Sequence, residues 1–179
     1  MSLRRKSREG DEELVIDEAA DPVERGSALG RLLADGRREY RPLTRQWLAH
    51  SEPVLREAAT SKLLIYFRGE PDIDEDIARV IALSRGDAEP GVRGAAISAL
   101  SGYLELTGLH RERILQLFVN RLEYDDDYIV QMACYEELLS HIAPERVTEM
   151  PPHTTPFDRD QHVDWSLLSA WRTPPNSTK

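Results

Sequence analysis

E-P-G-V-R-G-A-A-I-S-A-L, running from Glu89 to Leu100, has the order of residues expected where a helix starts and at once packs against its neighbours. Glu89 sets a negative charge at the positive end of the helix dipole, and Pro90 fills the first helical position, where an amide would have no partner anyway. Arg93 follows the acid by four, the spacing that brings two side chains onto one helical face. Ala95 and Ala96 leave room for a close neighbour, and Leu100 extends the apolar stripe. The same order recurs as D-P-V-E-R-G-S-A-L-G-R-L-L from Asp21, E-P-V-L-R-E-A-A-T-S-K-L-L from Glu52 and D-Y-I-V-Q-M-A-C-Y-E-E-L-L from Asp127. The anchors Pro22, Pro53, Pro90 and Tyr128 lie 31, 37 and 38 residues apart. Self-similarity at such a period is the mark of stacked supersecondary units.

Partner helices are expected between these segments. P-L-T-R-Q-W-L-A-H from Pro42 puts Leu43, Trp47 and Leu48 on one side. D-I-D-E-D-I-A-R-V-I-A-L after Pro71 puts Ile73, Ile77, Val80, Ile81 and Leu83 on a broad apolar face, and the stretch from His110 does the same with Ile114, Leu117, Phe118 and Leu122. No segment alternates apolar and polar residues as a strand would, so the sequence predicts an all-α chain of paired helices.

The pattern acid-Pro-x-Val-Arg-x-Ala-Ala-x-x-x-Leu resembles the second helix of a HEAT repeat, and the resemblance covers roughly Asp21 to Ile142. It implies a right-handed α-solenoid of about four helix pairs, the second helix of each pair lining a concave face. It also implies that Asp21, Glu52, Glu89 and Asp127, with Arg25, Arg56 and Arg93, form a scaffold ladder between repeats. Glu24 stands where the pattern wants an apolar residue, and Tyr128 and Gln131 replace Pro and Arg, so the first and last repeats read as irregular end caps.

The ends are expected to differ from the middle. Residues 1–10 read as a basic, flexible arm, with Arg4, Arg5, Lys6 and Arg8 against Glu9. Residues 11–145 read as the repeat domain, opening on a short capping helix around Leu14, Val15 and Ile16. Residues 146–172 read as a C-terminal cap, in which a helix within F-D-R-D-Q-H-V-D-W-S-L-L-S-A-W-R folds Val163, Leu167, Leu168 and Trp171 back over the last repeat. Residues 173–179 read as a disordered tail.

With 179 residues, 40% of them hydrophobic, the chain can bury one sizeable core. Its formal charge of −9 argues against general affinity for nucleic acid, which depends on Lys and Arg displacing counterions. Setting the basic arm aside leaves about −12 on the rest, which favours a basic partner. The single cysteine, Cys134, allows no intrachain disulfide and fits a reducing compartment. Neither a secretory leader nor a membrane-spanning run is legible, so a cytoplasmic location is expected.

Three candidate sites stand out. In D-R-D-Q-H-V-D, Asp158, Asp160, His162 and Asp164 could supply metal ligands, but the Gly and terminal Glu of a calcium loop are missing and a solvated helix start is the better account. In Tyr124-Asp125-Asp126-Asp127-Tyr128, acids between two tyrosines could grip a Lys or Arg by charge and ring face together, while Asp125 or Asp126 is also placed to cap the next helix. On the expected concave face, Glu57, Thr60, Ser61 and Leu64, then Ser98 and Ser101, then Tyr135, Glu136 and Leu139 are left for partner contact once the small and Leu columns are placed in the core.

Catalysis has little support. Ser61, Ser98 and Ser101 lack a nucleophile elbow or a His partner in sequence, Cys134 occupies a core column, and Glu57 with Glu136 is too common a pairing to imply acid–base chemistry. Nothing calls for a cofactor. The expectation is a non-catalytic protein-binding module, similar in type to the bacterial immunity proteins that neutralise basic nucleases. A regulatory scaffold subunit is the alternative. DNA glycosylases built of HEAT-like repeats need a cationic groove that this acidic body does not suggest, and no bilin-lyase signature is present.

Overall fold

The computed structural model describes residues 3–105, 109–152 and 155–172, and among them every regular element is helical. In chain order these are α1 (Leu3–Ile16), α2 (Pro22–Ala34), α3 (Arg41–Trp47), α4 (Pro53–Tyr66), α5 (Ile73–Gly86), α6 (Pro90–Ser101), α7 (Leu109–Tyr124), α8 (Tyr128–Ile142) and α9 (Arg159–His162). Helices α2, α4, α6 and α8 start at the four anchors of the repeated segment, and 3-10 turns at Arg38–Tyr40 and Pro144–Glu149 join the set. No described helix is long and apolar enough to cross a membrane.

The acid ahead of each anchor acts according to its length. Asp21 accepts hydrogen bonds from the amides of Val23 and Glu24, and Asp127 from those of Ile129 and Val130, whereas Glu52 and Glu89 make no side-chain cap. Only the shorter carboxylate folds back onto the first turn. The Arg column has a shared duty that the spacing of four does not reveal. Arg56 donates to the carbonyl of His50 at 2.9 Å, Arg93 to that of Asp87 at 3.0 Å, and Gln131 to that of Asp125 at 2.6 Å, each six residues upstream. The long side chain thus closes the turn that leads into its own helix. Arg25 departs from this, reaching Val15 O at 3.5 Å and lying over the Trp47 ring.

The chain divides into two compact units, residues 1–82 and 83–179, with the division falling inside α5. In the first, α2 packs against α1 and α4, and α3 against α4. Its core holds Leu29, Leu32, Trp47, Leu55, Leu63 and Phe67, all essentially inaccessible to solvent. The close approach falls at Gly26, one place ahead of the column of small residues: a Cβ there would lie 3.0 Å from Ala58 Cβ, so α2 and α4 touch nearly backbone to backbone. After α2 the chain reverses at Gly36, whose φ of +84° is open to glycine. There the amides of Gly36 and Arg37 return to the carbonyls of Leu33 and Leu32, which closes the helix with a Schellman motif. Helix α1 begins at Leu3, so residues expected as a flexible arm are helical from that point. Its Asp11 takes a bidentate ion pair from Arg31, with 2.6 Å to Nη2.

In the second unit α8 packs on α6, α7 and the 3-10 turn after it. Ile97, Leu100, Ile114, Phe118, Cys134 and Leu138 are fully buried there. The C-terminal segment corrects the sequence expectation of a capping helix. α9 is four residues long, capped by Asp158 and ended by Val163 in extended conformation, and turns follow. Asp164 is the cause: its Oδ1 takes the amide and hydroxyl of Ser166 and its Oδ2 the guanidinium of Arg146, so local side-chain bonds outcompete the next helical turn. Val163 and Leu168 are nonetheless buried, while Leu167 and Trp171 are half-buried. Phe157 packs 6.0 Å from the Tyr135 ring and Trp171 donates to Glu112 at 2.9 Å. The expected tail at 173–179 lies outside the described residues.

Candidate functional site

The turn between α7 and α8 gathers three aspartates with three different duties. α7 ends where the Asp125 amide returns to Arg121 O at 2.8 Å. The Asp125 carboxylate, with 1% of its side chain exposed, accepts from Arg93 Nε at 3.0 Å and Nη2 at 2.7 Å, and Arg121 lies 3.6 Å away. It also takes the Asp127 amide at 3.0 Å, which fixes the turn. Asp127 caps α8. Asp126 receives the same Arg93 Nη2 at 2.7 Å while leaving 91% of its side chain in solvent. Within three residues of Asp126 along the chain, Tyr124, Tyr128 and Ile129 are 58%, 45% and 52% exposed.

Sequence reasoning offered both Asp125 and Asp126 to a partner. The structure withdraws Asp125, because a carboxylate so deeply held by two arginines is part of the core. The cap expected of Asp125 or Asp126 falls instead to Asp127, one position nearer the helix. Ile129 was missed: its place just after the anchor coincides with that of Val23 and Val54, both exposed, and this recurrence was the available signal.

The expected concave-face residues divide by burial. In the first unit Glu57 is exposed and Ser61 half-buried, and both line a shallow groove of about 230 Å³ with Val23, Gly26, Val54 and Lys62. Burial holds the Lys62 ammonium below its usual range, opposed by nearby Glu57. Thr60 and Leu64 are fully buried and offer nothing to a partner, since one turn of α4 rotates them onto the core. The Thr60 hydroxyl has no hydrogen-bond partner among the described residues. In the second unit Ser98 is exposed, and Ser101 and Glu136 are half-buried. Tyr135 and Leu139 are buried, Tyr135 accepting the Asp164 amide at 3.1 Å under the C-terminal segment.

The hydroxyls weighed as nucleophiles are occupied locally. Ser61 donates to Glu57 O at 2.9 Å and Ser101 to Ser98 O at 2.8 Å. Burial pushes the Glu137 carboxyl up. Cys134 is fully buried, and burial raises its thiol far from a reactive state. Asp158, His162 and Asp164 serve their own backbone: Asp158 accepts the Asp160 amide at 3.0 Å, His162 Nδ1 the Asp158 amide at 2.9 Å and Asp164 the Ser166 amide at 3.1 Å, while the Asp160 carboxylate lies 3.8 Å from Arg159. Among the described residues no three His, Cys, Asp or Glu side chains come together as a metal ligand set. The stretch R-R-E-Y-R-P-L-T-R at 37–45 carries no expectation from its spacing, yet its Arg41 and Arg45 bond Asp76 of α5.

Comparison with protein-family models, with curated proteins and with solved structures yields no match.

Proposed function

We propose that this chain is a non-catalytic, HEAT-like repeat module that binds another protein through the α7–α8 turn, its partner presenting a basic surface. The observation that carries the reading is the exposure of Tyr124, Tyr128 and Ile129 around Asp126. Of the seven exposed large apolar residues among those described, three fall within the six residues from Tyr124 to Ile129, a concentration along the chain that the other four do not share. Tyrosine beside a fixed carboxylate suits the aliphatic stem and charged head of Lys or Arg. Arg93 holds the carboxylate in place before any partner arrives, so less ordering is needed on binding.

The HEAT-like solenoid is supported by the four helices that begin at the repeat anchors and by the shared contact of Arg56, Arg93 and Gln131 with the turn before each helix. An immunity-type role, occupying the basic cleft of a toxic nuclease in the cytoplasm, fits the acidic second unit, in which 15 acidic residues outnumber 9 basic ones. The test is a pull-down in which the wild-type chain is compared with Tyr124→Ala/Ile129→Ser and with Asp126→Ala, each checked for an unchanged melting temperature. A partner that is enriched by the wild type and lost from both variants supports the reading. Equal recovery on all three would remove the turn from consideration.

A further inference from the structure

We infer that the first unit carries a separate anion site, a recess formed by Arg38, Arg41, Arg45 and Arg79, that takes a small molecule bearing more than one phosphate group. The recess, about 740 Å³, is completed by Glu39, Pro42 and Gln46. Glu39 is the one carboxylate in this lining, and Arg37 holds it through Nε. In a chain of net charge −9 the lining surface itself presents four arginines, of which Arg41, Arg45 and Arg79 are balanced from behind by Asp72, Asp76 and Glu75 while Arg38 is not.

The guanidiniums are oriented from the protein side. Asp76, fully buried and outside the lining, accepts from Arg41 Nη2 at 2.7 Å and from Arg45 Nε at 2.7 Å. Asp72 accepts from Arg41 Nη1 at 2.6 Å and from Arg45 Nη2 at 2.7 Å. These bonds use the Nε edge of Arg45 and leave its Nη1 with no partner among the described residues. A network that served only to fasten α3 to α5 would be complete with Arg41, Arg45, Asp72 and Asp76. Arg38 and Arg79 add to it without being needed for it. Arg38 lies over the Phe67 ring at 5.4 Å and has no carboxylate partner among the described residues. Arg79 reaches Asp76 only at 3.4 Å and Glu75 at 3.5 Å, with 45% of its side chain exposed.

Arg41 is spent on Asp72 and Asp76 through Nε, Nη1 and Nη2, so the donors left for a ligand are Arg38, Arg45 Nη1 and the loosely held Arg79, and donors on three separate side chains match the spread oxygens of a diphosphate better than a single carboxylate. A long polyanion is disfavoured, because the unit as a whole carries 14 basic against 17 acidic residues and would repel it beyond the recess. The site does not depend on the protein-binding reading above.

The probe is inorganic pyrophosphate, titrated into the full chain by calorimetry at low and at physiological salt. Saturable one-to-one binding is expected, weakened by about tenfold or more in both Arg38→Ala and Arg79→Ala. Arg113→Ala, which removes the same charge from an exposed position on α7, is expected to leave it unchanged. Should either recess variant lose its fold, perturbation of arginine Nε–Hε resonances in the wild type locates the site instead. Absence of saturation, equal weakening in all three variants, or resonance changes confined to arginines outside the recess would overturn the inference.

Discussion

Asp125, Asp126 and Asp127 are the same side chain three times over, and their surroundings alone separate them. Asp125 is enclosed with Arg93, Asp127 is spent on the amides of α8, and Asp126 keeps its carboxylate in water. Removing one partner of an enclosed pair leaves an uncompensated charge, so Asp125→Ala is expected to lose about 3–5 kcal/mol in urea unfolding. Asp126→Ala is expected to stay within about 1 kcal/mol of wild type, as exposed pairs generally do. A reversed order would show that the turn is not held as described. Asp72 makes a prediction in pH. Hydrogen bonds from Arg45 and then Arg41 hold its carboxyl down to about 2. An Asp in the unfolded chain titrates near about 3.9. Because the folded value is the lower one, its contribution is present above about pH 4 and is lost as pH falls toward about 2. The melting temperature of Asp72→Asn should therefore decline less steeply across that interval than that of wild type, with Asp164 still titrating in both. Parallel curves would exclude Asp72 as a source of acid sensitivity.

At the scale of elements, a single glycine sets how closely α2 and α4 meet. Gly26 on α2 faces Ala58 on α4, and an added methyl would sit 3.0 Å from a Cβ that cannot move without its backbone. Gly→Ala inside a helix gains up to about 1 kcal/mol from propensity. Overpacking costs about 1–3 kcal/mol, so Gly26→Ala is expected to be net destabilising, read as a lower midpoint in chemical denaturation. A midpoint above wild type would mean that α2 and α4 can separate cheaply. The C-terminal segment shows the opposite weighting, since its apolar pattern promises a helix and Asp164 overrides it with turns. What the pattern does convey is burial: Val163 and Leu168 are covered whether or not the backbone between them is helical.

For the whole molecule the relevant quantity is charge. The first unit has a formal −3 and the second −6, which sum to the −9 of the chain. A complex driven by that field should weaken as salt rises from about 0.1 M to 1 M, where the screening length falls from about 10 Å to about 3 Å. A dissociation constant that stays level over the range would assign the affinity to Tyr124, Tyr128 and Ile129 without help from charge. The sequence by itself determined where helices begin, because Pro at the first turn, an acid before it and apolar spacing beyond it act within a few residues of chain. It also determined that Leu32, Leu63, Leu100 and Leu138 are buried, since each lies on the stripe that has nowhere else to go. Only the tertiary structure decided between equals: that Thr60, Leu64 and Tyr135 face inward while Glu57 and Ser98 do not, that Arg93 chooses Asp125 across 32 residues, and that Arg38 and Arg79 line one recess. Those choices depend on the rotation of one helix against another and on which charges are enclosed when they pack, and neither is written in the spacing of residues along a single helix.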